Sequence, residues 1–240
     1  DISALSDAVD FFSEAAPCGV IGSFIQDKAA AHDDLFSFKH HYMTQAMDSA
    51  VMAELFEAMG GRRFITADNL ARHSKKIRGV RLVPLRICIS AQNGRQNLIA
   101  FNESSGRFES YRLDYMSKVV IEDEICERFD ELRDELKGIE RHMWGVSCKR
   151  DITRLEHVEF EIKIGDDERH IINRLEREKR CGRVEKLDEN RYRYSADVID
   201  STEMLPWIRT FICRITKLSF SNRTVENGFK ADIRKMYEMY

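Results

Sequence analysis

RLVPLRICISAQNGRQNLIAFN, residues 81–102, is two runs of alternating apolar and polar residues with Asn93-Gly94 between them. Asn-Gly tolerates the positive φ of a tight hairpin turn, and period-two alternation is what a half-buried strand requires. The stretch therefore predicts a β-hairpin. With Asn93-Gly94 as a two-residue turn, Ser90 faces Asn97, Cys88 faces Ile99 and Arg86 faces Phe101, all on one side. Ile89 with Leu98 and Ile87 with Ala100 then form the opposite, core side.

Working outward, the period of two runs from Arg62 to Asp123, with strands predicted over 63–67, 81–90, 97–102, 107–113 and 116–122. Ser104-Ser105-Gly106 marks a second turn. Five short strands in about 60 residues are too few for a sandwich and suit a small closed barrel. On its first hairpin, Arg86, Ser90, Asn97 and Phe101 share a face, with Arg95 at the hairpin end. A cation, a ring and hydrogen-bonding groups together are what a single-stranded nucleic acid or a nucleotide needs. A plain solvated face could carry the same residues. The local charge favours an anionic ligand: residues 62–118 hold 12 basic and 4 acidic residues, inside a chain of net charge −3 whose first 61 residues hold 2 basic and 10 acidic.

On either side of the barrel the period lengthens to that of helices. Met43, Met47, Val51, Leu55 and Met59 recur every fourth position and stop at Gly60-Gly61, a packed helix with a glycine end. Ile125, Phe129, Leu132, Leu136, Ile139 and Met143 form a seam for another helix, within the chain or across a dimer. Beyond it, strands near 158–164, 183–187, 191–195 and 217–221 alternate with helices near 167–180, from Ser201 or Thr202 through Ile215, and from Thr224 to Tyr240. That order contains a ferredoxin-like βαββαβ unit. The expected architecture is α+β: residues 1–61 a helical segment, 62–123 the barrel, 124–155 a linker helix and 156–240 the second α+β domain.

With 240 residues, 43% of them hydrophobic, and three prolines, the chain can bury one or two cores. No apolar run approaches the roughly 20 residues that cross a bilayer, and no signal segment opens the chain, so a cytoplasmic protein is expected. The chain begins at Asp1 inside an amphipathic segment, which suggests residues upstream. Six scattered cysteines include no CxxC pair and read as reduced structural thiols.

Signals for catalysis are thin. Phosphate loops, GxGxxG, HExxH and GxSxG are absent. Adjacent His40 and His41 diverge in any regular structure and make a poor metal pair. Glu122-Asp123-Glu124 fits the solvated start of a helix better than a Mg²⁺ site, and Cys18 has no evident base. No cofactor, metal or catalytic residue is expected.

Pro84-Leu85-Arg86-Ile87, Ser90, Asn93-Gly94-Arg95, Leu98-Ile99-Ala100 and Tyr111-Arg112-Leu113-Asp114 together resemble the WYL domain, a small Sm-like or SH3-like barrel. Glu203-Met204-Leu205-Pro206-Trp207-Ile208-Arg209-Thr210-Phe211 is similar to the C-terminal extension called WCX, so the resemblance covers about residues 62–240. Phe38-Lys39-His40-His41 resembles the linker of Bacillota members. The resemblance implies the sensing and dimerisation module of a bacterial transcriptional regulator, which meets duplex DNA through an upstream winged helix. Its implied effector is single-stranded DNA or RNA or a nucleotide, held by Arg86, Ser90, Arg95, Asn97, Phe101, Tyr111 and Arg112. Since some family members are CRISPR accessories, an RNA- or single-strand-binding accessory is the alternative. The sequence departs from the family where the Trp-Tyr-Leu triplet aligns with Gln96-Asn97-Leu98, and where an arginine three residues before Arg112 is replaced by Glu109.

Overall fold

The computed structural model describes Leu5 and residues 49–71, 75–90, 95–148 and 154–239. The expectations placed on Cys18, His40-His41, Met43, Met47 and the Asn93-Gly94 turn lie outside the described residues. The chain divides into two units, Asp1–Asp134 and Glu135–Tyr240. Both are α+β, each built on one antiparallel sheet.

In the first unit, helix α1 (Ser49–Gly61) precedes strands β1 (Arg63–Ala71), β2 (Lys75–Ile89), β3 (Gln96–Asn102), β4 (Arg107–Arg112) and β5 (Met116–Ile125). Their order across the sheet is β4-β3-β2-β1-β5, every pair antiparallel. β4 and β5 are the two edges and do not pair among the described residues, so the expected closed barrel is replaced by an open, bent sheet. Bulges supply the bends. Pro84 explains one of them: lacking an N–H it cannot continue the ladder of an interior strand, and the register slips between Pro84 and Arg86. α1 lays Val51, Leu55 and Ala58 on one face of the sheet, against Ile65, Ala67, Leu82, Leu98, Ala100, Leu113 and Met116.

The linker helix α2 (Phe129–Glu140) starts four residues later than expected, because Ile125 still pairs with Arg63 in β5 and is 59% exposed. Phe129, Leu132, Leu136 and Ile139 of the seam are buried.

The second unit runs β6 (Glu156–Lys163), α3 (Arg169–Glu178), β7 (Arg183–Lys186), β8 (Arg191–Val198), α4 (Leu205–Arg209), β9 (Ile215–Phe220) and α5 (Arg223–Tyr237). The sheet order is β7-β8-β6-β9, again all antiparallel. Alternation on β6 decides its core: Val158, Phe160 and Ile162 are each 0% exposed, and Phe160 lies 5.2 Å from the Tyr194 ring and 5.8 Å from Trp207. The intervening residues face outward in a charged row, where Arg193 reaches Glu161 at 2.9 Å and Glu185 at 3.8 Å, and Lys217 reaches Glu161 at 3.6 Å. The single helix expected from Ser201 to Ile215 is broken into a 3-10 turn at Ser201–Met204, α4, and a second 3-10 turn at Ile212–Arg214. Asp200, rather than Ser201 or Thr202, caps its start by accepting the Thr202 N–H.

Candidate functional site

The β2–β3 hairpin of the first unit pairs in a register other than the one that a two-residue Asn93-Gly94 turn predicts. Ser90 N donates to Arg95 O at 2.8 Å beyond the last paired strand residues, Ile89 and Gln96. The register moves accordingly: Arg86 faces Ile99, Cys88 faces Asn97, Ile87 faces Leu98 and Ile89 faces Gln96. Phe101 faces Val83 rather than Arg86. From Arg86 to Ile89 each partner is displaced by two residues from the expected one, so the polar row of Arg86 and Cys88 still meets the row of Asn97 and Ile99. Ile89, expected in the core, is 48% exposed at the hairpin end.

β4 extends the rows. Asn97 faces Arg112, Ile99 faces Ser110 and Phe101 faces Phe108. One side of the sheet therefore carries the row Cys88–Asn97–Arg112 next to the row Arg86–Ile99–Ser110, with Phe101 and Phe108 beyond. The two rings meet edge to face at 5.5 Å. Asn97 is buried, Arg86, Ser90 and Phe101 are half-buried, and Arg95 is exposed where β3 begins.

Arg112 is braced by its neighbours. Its Nε and Nη2 donate to the two carboxylate oxygens of Asp114 at 3.0 and 2.5 Å, and its guanidinium lies 4.1 Å above the Tyr115 ring. The bidentate hydrogen bond to Asp114 holds it firmly protonated, and the side chain remains 27% exposed.

Tyr111 is set apart from the others. Alternation turns it to the α1 side, where it packs with Leu98 and is 8% exposed. Its hydroxyl donates to Glu109 at 2.5 Å and accepts from Asn102 at 3.0 Å, and Ser105 Oγ donates to the second Glu109 oxygen at 2.7 Å. Burial and the adjacent carboxylate push the Tyr111 hydroxyl far above its ordinary value. Burial opposes ionisation of Glu109, but the hydrogen bonds from Tyr111, Ser105 and Asn102 outweigh it and hold the carboxyl below its ordinary range. Glu109 thus closes a polar network on the core side.

Part of the local positive charge is used internally. Arg81 donates to Glu122 at 2.9 Å, Glu103 at 2.8 Å and Glu124 at 2.6 Å, and lies 3.9 Å over the Phe64 ring. Glu122-Asp123-Glu124, read from sequence as the solvated start of a helix, belongs to β5, and two of its carboxylates anchor this cluster. No group of metal-ligating side chains occurs among the described residues. No described helix is long and apolar enough to cross a membrane.

In the second unit, sequence reading missed a half-buried carboxylate. Glu203 accepts the N–H groups of Gly145, Val146 and Ser147 at 2.9, 3.0 and 3.1 Å. Burial and the charge of Asp200 push its pKa above the ordinary value, against the pull of the three amides. A Cβ on Gly145 would lie 2.5 Å from the Glu203 carboxylate, so any side chain there would push the carboxylate off its amides. The glycine was the one available signal.

No protein-family model matches the sequence, and no curated protein matches it either. Solved structures do. The chain is similar to one described as a CRISPR Cas-related protein, with 15% identity and a TM-score of 0.51, over 79% of this chain and 51% of that one. It also matches the proteasome accessory factor B/C (PafBC) of Arthrobacter aurescens at 11% identity and a TM-score of 0.32, over 70% of this chain and 24% of that one. The first likeness is one of fold alone, and the second is too distant to support an argument. The chain spans about half of the first protein and about a quarter of the second.

Proposed function

We propose that this chain is the effector-sensing and dimerisation module of a WYL-type bacterial transcriptional regulator. Its ligand is an anionic nucleic acid or nucleotide, bound on the sheet face of Arg86, Ser90, Arg95, Asn97, Phe101 and Arg112. The observation that carries the reading is the pair of adjacent rows in which Arg86, Asn97 and Arg112 share one face with the Phe101–Phe108 ring pair. Guanidinium, amide and aromatic ring are the groups that engage phosphates and unstacked bases. Tyr111, turned to the core, contributes by holding the sheet rather than by touching ligand. A helix followed by strands in the order β4-β3-β2-β1-β5 agrees with an Sm-like sheet. The order β7-β8-β6-β9 agrees with a ferredoxin-like βαββαβ unit in the position of WCX. The module acts by binding and not by turnover, in a cytoplasmic homodimer whose DNA-binding domain lies upstream.

A second reading is an RNA- or single-strand-binding accessory that modulates a partner, and the fold likeness to a CRISPR Cas-related protein favours keeping it. A fluorescent single-stranded oligonucleotide titrated at three salt concentrations tests the shared ligand face. The Arg86→Ala/Arg95→Ala/Arg112→Ala variant is expected to bind more weakly, with a slope of log K against log salt shallower by about 0.7 for each phosphate that an arginine no longer neutralises. Unchanged affinity and slope in a folded variant would place the ligand elsewhere. An upstream winged helix in the full-length gene would favour the regulator, and its absence the accessory.

A further inference from the structure

Helix α3 has two different sides. Ile171 and Leu175 enter the core of the second unit, and Ile172 packs against it. The 3.6-residue period sends Arg169, His170, Asn173, Arg174 and Arg177 to the other side. Arg174 is half-buried and the other four are exposed. At 1.5 Å per residue, the guanidinium-bearing positions 169 and 177 stand about 12 Å apart along the axis. The concentration of charge is local: residues 169–183 hold six basic and two acidic residues, while the rest of 156–240 holds 11 basic and 15 acidic.

The arginines differ in how far they are already engaged. Arg174 donates to Glu178 at 2.9 Å and lies 4.9 Å over the Phe211 ring, which fixes its orientation. Arg177 approaches Glu178 only to 3.7 Å and its side chain is 74% exposed. Arg169 makes no ion pair among the described residues. We propose that this stripe, Arg169, His170, Asn173, Arg174 and Arg177, is a nucleic-acid contact, with Arg169 and Arg177 on backbone phosphates and Asn173 between them facing the bases. All three permanent cations are arginines, whose planar fork suits phosphate and base edges, and asparagine offers the matching amide pair. A membrane-binding helix would set bulky apolar residues beside its cations, and none of the exposed large apolar side chains lies on α3.

This contact does not depend on the sheet face of the first unit, and the two are separable by experiment. The whole chain is titrated by fluorescence anisotropy with a DNA strand of about 20 nucleotides, the equivalent RNA strand and a DNA duplex of the same length, at three salt concentrations. For Arg169→Ala/Arg177→Ala, several-fold weaker binding is expected for at least one of the three, with a slope shallower by about 1.4 on a single strand or about 1.8 on the duplex. The oligonucleotide most affected identifies the kind of nucleic acid. Lys163→Ala/Lys235→Ala removes the same charge from exposed positions elsewhere in the unit and is expected to leave the slope unchanged. Circular dichroism checks that both variants fold. The proposal is overturned by equal losses in the two double variants, by no loss in the arginine variant, by a wild-type chain that binds none of the three, or by binding to anionic vesicles alone. A loss in Arg169→Ala/Arg177→Ala with none in the Arg86/Arg95/Arg112 variant would sustain the helix contact and remove the sheet-face reading.

Discussion

Glu226 is a carboxylate with 5% exposure that sits inside a ring of donors. Lys230 Nζ approaches at 2.5 Å, Arg223 Nη1 at 2.6 Å and the Phe220 N–H at 3.0 Å. Lys230 and the amide, helped by Arg223, hold its pKa down to about 2 against the effect of burial. Since the folded-state value lies below the unfolded one, the stabilisation is complete above the ordinary glutamate range and is lost as pH falls toward 2. Glu226→Gln should lower unfolding stability by about 1–3 kcal/mol at pH 7. Urea titrations should show the gap to wild type shrinking steadily between about pH 5 and pH 2. At this scale the sequence is informative about which side of a strand a residue takes: Arg86, Asn97 and Arg112 do share a face. It misleads about Tyr111, because the match to a family run covers Tyr111 and Arg112 together, whereas neighbours in a strand point opposite ways. The internal engagement of Arg81 is hidden for another reason. Its partners Glu103, Glu122 and Glu124 lie 22, 41 and 43 residues away, and only the pairing of strands brings them in.

At the scale of elements, the five strands of the first sheet fall on the five segments where alternation places them, but β2 starts at Lys75, six residues before the expected 81, and β1 and β5 run on to Ala71 and Ile125. The hairpin register did not follow from the Asn-Gly signal: Cys88 pairs with Asn97 and Arg86 with Ile99, two residues from the partners that a two-residue turn would set. The region after Asp200 was harder still. Its apolar residues fit a single helical stripe, yet the helix stops before Phe211 and Ile215 already belongs to β9. Just before β7, Gly182 has φ +80°, and a Cβ there would stand 2.5 Å from Ser195 O and 2.7 Å from Ala196 Cβ. Both the backbone strain and the collision with fixed backbone should act together in Gly182→Ala, with a loss of about 3 kcal/mol or more in urea unfolding. Phe160→Ala, which empties the centre of the aromatic cluster, should cost about 3–5 kcal/mol with little change in far-ultraviolet dichroism.

On the scale of the whole molecule, two α+β units and their order are legible in the sequence, since the change of period from four to two and back is visible along the chain. That the first sheet stays open is not, because strand count constrains closure only through pairing of the two edges. A homodimer is the expected state in solution. The last turn of α5 leaves Met236 47% and Tyr237 82% exposed, continuing a stripe whose Phe229 is 2% exposed. Sedimentation equilibrium at micromolar concentration should report twice the monomer mass, and a monomer mass would refute the expectation. Thermal unfolding should then rise in midpoint with protein concentration.

The cradle of three amides around Glu203 also bears on how the sequence can drift over generations. Gly145 and Glu203 are separated by 58 positions and depend on each other: the missing Cβ makes room for the carboxylate, and the carboxylate accepts the amides of residues 145–147. Neither can change alone at low cost. Among descendants of this gene the two positions should be inherited as a linked pair, so that a side chain arriving at 145 is accompanied by a shorter residue at 203, and a lineage that lost one without the other should carry a compensating substitution in residues 144–148.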